Sequence, residues 1–295
     1  MDNITHSLVG ALIGQAGLKR KTGLAMPALI VGANLPDVDA ACFLWLDGVE
    51  HLGFRRGITH GPIALVLLPL LLAGALYWFD RWQAKRGKRP DRRLPVHFGW
   101  LYALAFIACL THPALDWLNV YGVRLLEPFS GRWFYGDVLF IIDVWLWALM
   151  GFATWFSLRR EKREREWREP ARIAMAVALA YIGCNSAITW AMETTRPGAI
   201  AHPLPLESWR REIVAPDGPS WRIDGAAHGD CRLEPVQSLA ARRHAQTGAF
   251  LFWSRAPFAE RAPDGSVILR DARYYDPRAR DRFSVALPGV RCEPL

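Results

Sequence analysis

The stretch Gly61–Phe79, GPIALVLLPLLLAGALYWF, decides the fold because it contains no charged side chain over 19 residues. A helix rises about 1.5 Å per residue, so this stretch would extend about 28 Å, close to the roughly 30 Å hydrocarbon thickness of a bilayer. It therefore predicts a transmembrane helix, and the rest of the chain is interpreted around it.

Further apolar stretches lie on both sides of this helix. Upstream, Ile4–Leu18 is short and Leu24–Leu46 is interrupted by polar residues and a proline, so both are interpreted as bent or partial spans. Downstream, three segments have the length and composition of spans, namely Phe98–Val120, Val138–Ser157 and Ala171–Ala191. We predict a mainly α protein, a polytopic membrane helical bundle with four to six spans.

The composition excludes several other classes. The chain has 295 residues, of which 52% are hydrophobic, and this excludes a disordered or fibrous protein. Its five cysteines form no C-x-x-C pair, which argues against a zinc ribbon or a thioredoxin-type protein. The absence of GxSxG, HExxH, Walker A and GxGxxG motifs excludes the commonest serine hydrolase, zincin and nucleotide-binding classes.

Positive charge is concentrated in short loops. Asp80–Arg93 and Leu158–Arg172 each contain seven Lys or Arg residues, and Lys19–Lys21 form a third cluster. Because cytoplasmic loops of membrane proteins are enriched in Lys and Arg, we assign all three to the cytoplasm and expect no nucleic-acid partner for the net charge of +8. The opposite helix ends then face outward.

The character of the chain becomes polar after Ala191. Two Pro-Asp-Gly turn signals, at Pro216–Gly218 and Pro263–Gly265, are accompanied by strand-like runs at Phe250–Ser254 and Ser266–Leu269. We therefore predict a membrane-embedded metal-binding helical domain over residues 1–192 and a small, mostly β domain outside the cytoplasm over residues 193–295. Its two cysteines, Cys231 and Cys292, could pair in an oxidising compartment, and the sequence leaves that open.

Ionisable residues beside the apolar stretches lie in four short motifs. Each such residue costs about 2.5–3.5 kcal/mol at the centre of a spanning helix, so it needs a partner or a function. With the topology above, all four motifs lie towards the outer face: DNITH (Asp2–His6), NLPDVD (Asn34–Asp39), RRGITHG (Arg55–Gly61) and THPALD (Thr111–Asp116). Any one of them could be a structural hydrogen-bonding group, but their common level favours one site.

The residue types in these motifs predict a divalent metal site. Imidazole and carboxylate groups without cysteine suit zinc first and manganese second. Six ligands are more than one tetrahedral zinc uses, so one or two ions are expected, and the predicted ligands are His6, Asp37, Asp39, His60, His112 and Asp116. His112 and Asp116 are four residues apart and share one helix face.

Further roles follow from the same motifs. Asp37 or Asp39 is a candidate general base, and the guanidinium of Arg56 is a candidate clamp for a phosphate or carboxylate of the substrate. Whether the remaining carboxylates Asp2, Asp137 and Asp143 join the site is left open by the sequence.

The ordered set of motifs, followed by Asn119–Gly122 (NVYG), resembles the bacterial YdjM-type family of LexA-regulated, membrane-bound, predicted metal-dependent hydrolases. The resemblance covers roughly the first 190 residues. It implies a multi-pass protein of the inner membrane with a metal centre, and it carries the same six residues over as ligands. More remotely, the motifs are similar to the His- and Asp-rich zinc sites of phospholipase C type enzymes.

Two classes of function are compatible with these observations. The first is an inner-membrane metal-dependent hydrolase that acts on an ester or phosphoester of a lipid-like substrate, with membrane lipids as partners. The second is a divalent-metal transporter or a metal-binding membrane sensor, since His and Asp clusters within membranes also mark ion pathways. The inner halves of the spans are apolar and no repeat is visible, which favours the enzyme. A third, structural interpretation treats the outer β domain as a partner-binding module.

Overall fold

The fold is described from a computed structural model that covers residues 1–223, 225–240, 244–275 and 283–295. Its first part is helical, with α1 Asn3–Gln15, α2 Ala25–Gly32, α3 His51–Phe54, α4 Pro62–Lys85, α5 Phe98–Trp117, α6 Val144–Lys162 and α7 Arg168–Thr195. Short 3-10 helices lie at Leu18–Arg20, Leu35–Leu44 and Ile58–His60. The prediction of a mainly α bundle followed by a small β region is confirmed.

Three helices are long and apolar enough to cross a membrane, namely α4, α5 and α7. The pair Ala25–Gly32 and Leu35–Leu44 adds a fourth candidate, bent by 52° at the polar residues between its halves. In the described part of the chain the candidates therefore number three or four, and only the higher count reaches the lower bound of the expected four to six. Helix α6 is not among them, because its apolar part stops before the charged run Arg159–Lys162.

The apolar helices carry large hydrophobic side chains on their outer faces. Leu71, Trp78 and Leu179 are between 66% and 68% exposed. Water-soluble proteins rarely expose contiguous apolar surface on this scale, whereas hydrocarbon solvates it without cost. These faces are therefore suited to contact lipid.

The chain divides into two compact units, of which the first contains Met1–Val38, Arg56–Ala187 and Pro205–Ser208. Within it, α1 packs against α2 and α6, and α5 packs against α2 and α4. The helices α1 and α2 pack closely at Gly10: a Cβ there would lie 2.5 Å from the backbone oxygen of Leu29, so the two helices meet at a distance that only glycine allows.

The second unit contains Asp39–Arg55, Ile188–Leu204 and Trp209–Leu295. It holds two antiparallel sheets with the strand orders β1-β2-β3-β4 and β5-β6-β7. The strands are β1 Ile200–Pro203, β2 Arg211–Asp217, β3 Ser220–Ile223, β4 Ala226–His228, β5 Pro257–Arg261, β6 Ser266–Asp271 and β7 Ser284–Arg291, with two helices, α8 Glu234–Ala240 and α9 Ala245–Trp253, between β4 and β5. Cys231 and Cys292 form a disulfide.

The turn signals and strands of this unit were only partly predictable. The turns at Gly218 and Gly265 connect β2 to β3 and β5 to β6, with positive φ angles of 62° and 81° that favour glycine. The strand expected at Ser266–Leu269 is confirmed as β6. The strand expected at Phe250–Ser254 is wrong: these residues form the end of α9, whose buried Phe250 and Trp253 are three residues apart, as on one helix face.

Candidate metal centre

Five of the six predicted ligands come together in the first unit. They are all buried, and they come from four separate segments of the chain: His6, Asp37, His60, His112 and Asp116. The ligand atoms form two overlapping groups, His6 with Asp37 and His112, and His60 with His112 and Asp116, each within 4.8 Å. The fold thus brings together four motifs that are far apart in the sequence.

The three imidazoles converge through their Nε2 atoms. Those of His60 and His112 lie 3.3 and 3.5 Å from Oδ2 of Asp116, and that of His6 lies 3.5 Å from Oδ1 of the same carboxylate. Asp37 Oδ1 lies 3.7 Å from the Nε2 of His112. Ligands placed tetrahedrally at about 2.0–2.1 Å from a zinc ion are about 3.3–3.4 Å apart, so these spacings fit such an ion.

The orientation of His112 is fixed by the end of a neighbouring helix. Its Nδ1 donates to the carbonyl oxygen of Ala33, the C-cap residue of α2, over 2.7 Å. Because a carbonyl only accepts, Nδ1 carries a hydrogen, and Nε2 is the nitrogen that faces Asp37 and Asp116. A histidine held in this way by a backbone carbonyl is the usual arrangement of a metal ligand.

His6 supplies the strongest indication of a missing group. Its ring stacks on that of His112 at 3.7 Å between centroids, and among the described residues neither of its nitrogens has a hydrogen-bond partner. A buried polar atom without a partner costs about 1–3 kcal/mol, and the Nε2 of His112 adds a third such atom to the two nitrogens of His6. The buried imidazole and carboxylate set therefore fits a divalent cation.

Local structure explains why the ligands occupy these positions. His6 lies in the first turn of α1, whose N-cap Asp2 accepts hydrogen bonds from the backbone of Ile4 and Thr5. His60 ends a 3-10 helix directly before α4, and its Nδ1 lies 3.0 Å from Thr59 Oγ1. On α5 the four-residue spacing of His112 and Asp116 puts both on one face, as expected.

The carboxylates that the sequence left open have other surroundings. Asp2 caps α1, and Asp143 caps α6 by accepting from the backbone of Trp145 and Leu146 while also accepting from the hydroxyl of Tyr181. Asp137 is buried but belongs to neither group of converging ligands in the described residues. The contacts of Asp2 and Asp143 are those of structural helix caps.

Asp39 is the predicted ligand that the structure does not bring into these groups. It falls in the second unit, where its Oδ1 lies 3.3 Å from Nε of Arg55. Asp37 and Asp39 share one 3-10 helix, but only Asp37 is among the converging atoms. Of the two candidate bases, Asp37 therefore lies with the converging ligands and Asp39 does not.

Arg56 has different neighbours from those expected of a substrate clamp. Its buried guanidinium forms an ion pair with Asp116 through Nε at 3.0 Å, and Nη1 donates to Asn119 Oδ1 and to the carbonyl of Gly122. The planar group also lies over the ring of Tyr121, 4.4 Å from its centroid. The N-terminal amino group contacts Asp116 as well. These contacts support a role for Arg56 in holding Asp116 and balancing its charge.

We expect Arg56→Ala to destabilise the metal-free protein by about 3–5 kcal/mol, because it removes the guanidinium that pairs with a buried carboxylate. Added zinc should raise the melting temperature of the variant more than that of the wild type, since the cation then replaces the guanidinium beside Asp116. Thermal unfolding with and without metal measures both effects. Arg55→Ala is the matched control, and equal behaviour of the two variants would contradict this role.

Sequence reasoning missed two parts of the site. Asn119 is fully buried, and its Oδ1 accepts from the backbone of Tyr121 and Gly122 as well as from Arg56, so it fixes the loop after α5. The available signal was its place three residues after Asp116 in the NVYG motif. The carbonyl of Ala33 carries no side-chain signal, so its contact with His112 was not predictable from residue type.

Two comparisons with known proteins give a match. A protein of Bacillus subtilis (strain 168) described as "Uncharacterized protein YfhP" is 28% identical over 167 residues, which cover 53% of this chain and 47% of that protein. The chain thus spans about half the length of this curated relative. No solved structure matches. The sequence profile described as YdjM inner membrane protein matches residues 1–192, which contain all five converging ligands. The chain therefore belongs to the YdjM inner membrane protein family.

Proposed function

We propose that this protein is a metal-dependent hydrolase of the inner membrane that acts on an ester or phosphoester of a lipid-like substrate. The observation that carries the proposal is the set of three buried imidazoles whose Nε2 atoms converge on one carboxylate, with His6 and the Nε2 of His112 lacking hydrogen-bond partners in the described chain. Zinc is the first candidate for the cation and manganese the second.

Each residue of the centre has a role in this proposal. His6, His60, His112 and Asp116 would hold the cation, and Arg56 would orient Asp116 and balance its charge. Asp37 is the only member of the five with measurable exposure, at 8%, so it is placed best to accept a proton from an attacking water. A bound divalent ion supplies polarisation of the scissile group and activation of that water.

The number of ions that the site could hold is limited by how many ligand atoms each residue can offer. His112 has a single nitrogen available, because its Nδ1 is used by Ala33, so it can serve one ion only. Asp116 presents Oδ1 towards His6 and Oδ2 towards His60 and His112, so its two oxygens could serve one ion or two. One or two ions are thus supported by the same residues.

Metal analysis combined with a hydrolysis screen tests the function. The purified protein is expected to retain one or two equivalents of zinc or manganese and to cleave a phospholipid or generic phosphoester only when loaded. Metal flux in proteoliposomes is measured in parallel on the same preparation. Robust flux without hydrolysis would favour the transporter and overturn the enzyme.

We also propose that the protein crosses the membrane several times, with its C-terminal region outside the cytoplasm. The Lys- and Arg-rich loops at Asp80–Arg93 and Leu158–Arg172 support this orientation, and the disulfide between Cys231 and Cys292 is typical of an oxidising compartment.

Fusion reporters check this topology directly. Reporters at Lys88 and Arg163 are expected to indicate the cytoplasm, because the flanking basic residues resist translocation, and a reporter after Glu193 is expected to indicate the outside. A cytoplasmic signal after Glu193 would contradict the common outer face of the four motifs. An outside signal at Arg163 would mean that α6 does not cross.

A further inference from the structure

A cavity of about 310 Å³ lies between α1, α5, α6 and α7 within the first unit. All of its lining side chains are apolar except that of Thr111, whose hydroxyl donates to the carbonyl of Ala108 on its own helix over 2.6 Å. The described lining therefore offers no polar group to a ligand. Cavities of this kind do not hold ordered water, because a buried water needs two to four polar partners.

Two of the helices that line the cavity also carry the metal centre. On α1, Val9 lines the cavity and lies three residues after His6, and on α5, Leu115 lines it between His112 and Asp116. At about 1.5 Å per residue, Val9 is only about 5 Å along the helix axis from His6. The cavity and the centre thus belong to the same turns of the same helices.

The rim of the cavity is open to the outer surface of the helices. Ala114 is exposed, and Leu179 on α7 is 67% exposed. Because α5 and α7 are candidate spans, this rim opens into hydrocarbon in a membrane. The molecules available to enter it there are the acyl chains of lipids.

We propose that this cavity, which is open along its rim and is called the groove below, binds one acyl chain of the substrate. It would so place the ester or phosphoester group of a membrane lipid at the metal centre. This inference rests on the proposed function and narrows its substrate class to lipids with at least one long acyl chain, excluding soluble phosphoesters. The acyl chain moves from the hydrocarbon of the bilayer into the hydrocarbon-like groove, so the transfer adds little binding free energy. The groove therefore contributes mainly by positioning the substrate.

Acyl-chain photolabelling tests the proposal with the full-length protein. The protein is reconstituted in vesicles of phosphatidylethanolamine and phosphatidylglycerol that contain a phosphatidylglycerol with a diazirine in mid-chain, and labelled residues are mapped by mass spectrometry. Label is expected to be several-fold denser on groove residues of α1, α5 and α7 than on the exposed face of α4 around Leu70 and Leu71. Uniform labelling of all lipid-facing surfaces would overturn the proposal.

A matched pair of alanines on α7 sharpens the test. Ala178 lines the groove, whereas Ala176 is exposed and does not line it. Ala178→Trp is expected to reduce groove labelling several-fold at unchanged metal content, and Ala176→Trp is expected to leave both unchanged. Equal labelling of the two variants would refute the groove as a chain subsite. If Ala178→Trp does not fold, the labelling pattern of the wild type decides.

The outcome is separable from that of the proposed function. Dense groove labelling that Ala178→Trp blocks, without hydrolysis of any lipid, supports the chain subsite and overturns the enzyme. Hydrolysis of lipids with uniform labelling retains the enzyme and overturns the groove.

Discussion

Replacement of His60 by alanine is expected to remove most of the metal from the purified protein. The Nε2 of His60 makes the shortest of the three approaches to Asp116, 3.3 Å, and its side chain is fully buried, so no water can take its place without rearrangement. Loss of an outer-shell partner typically costs about 10–100-fold in metal affinity, and loss of a ligand should exceed that. Elemental analysis after dialysis against a fixed free-metal buffer measures the change.

The control for this variant is a histidine outside the centre. His244 is exposed, precedes α9 in the second unit, and belongs to none of the converging groups. His244→Ala is expected to leave metal content and affinity unchanged. The site assignment would be abandoned if both variants retained the same amount of metal with the same affinity.

Replacement of Gly61 by alanine is expected to destabilise the protein strongly. An added Cβ would lie 1.9 Å from the backbone oxygen of Glu127 and 2.9 Å from its carbonyl carbon, and neither atom can move aside as the end of a flexible side chain could. Overpacking typically costs about 1–3 kcal/mol and occasionally more, and a clash with the backbone lies at the upper end of that range. Since Gly61 directly follows His60, a shift of the backbone here should also weaken metal binding.

Gly74, inside α4, provides the comparison. Nothing lies within 4 Å of a Cβ at this position, so Gly74→Ala should change stability by no more than about 1 kcal/mol, in the stabilising direction. Thermal unfolding and metal titration of both variants check this difference. Similar melting temperatures for Gly61→Ala and Gly74→Ala would contradict this prediction, because they would show that the backbone at Glu127 can shift with little loss of stability.

The helical part of the fold was predictable because length and hydropathy are local properties. The spans at Gly61–Phe79 and Ala171–Ala191 correspond to α4 and α7, each a few residues longer than the apolar run. The end of α5 at Trp117 and the start of α6 at Val144 were harder to predict from the sequence, because they depend on loop contacts and on the cap Asp143. The strand predicted at the end of α9 was wrong because a run of five apolar or small residues does not distinguish a strand from a buried helix end.

The candidate centre was predictable as a set of residue types but not as a geometry. Ionisable residues are easily recognised in an apolar stretch of sequence, and the four-residue spacing of His112 and Asp116 predicts that these two ligands share a helix face. Which of Asp37 and Asp39 converges depends on the course of one 3-10 helix, and the role of Arg56 depends on a partner 60 residues away in sequence. Such long-range contacts leave no pattern in a single sequence.

The position of His6 on a short helix constrains how the protein is assembled. Helix α1 has 13 residues, about 20 Å, too short to cross a bilayer core, and it carries buried Thr5, His6 and Gln15. Its remaining partners, His112 and Asp116, are synthesised more than one hundred residues later. His6 therefore cannot meet its partners on α5 until that helix has been made and inserted, so a cation held by these residues, as proposed above, would be bound late in biogenesis.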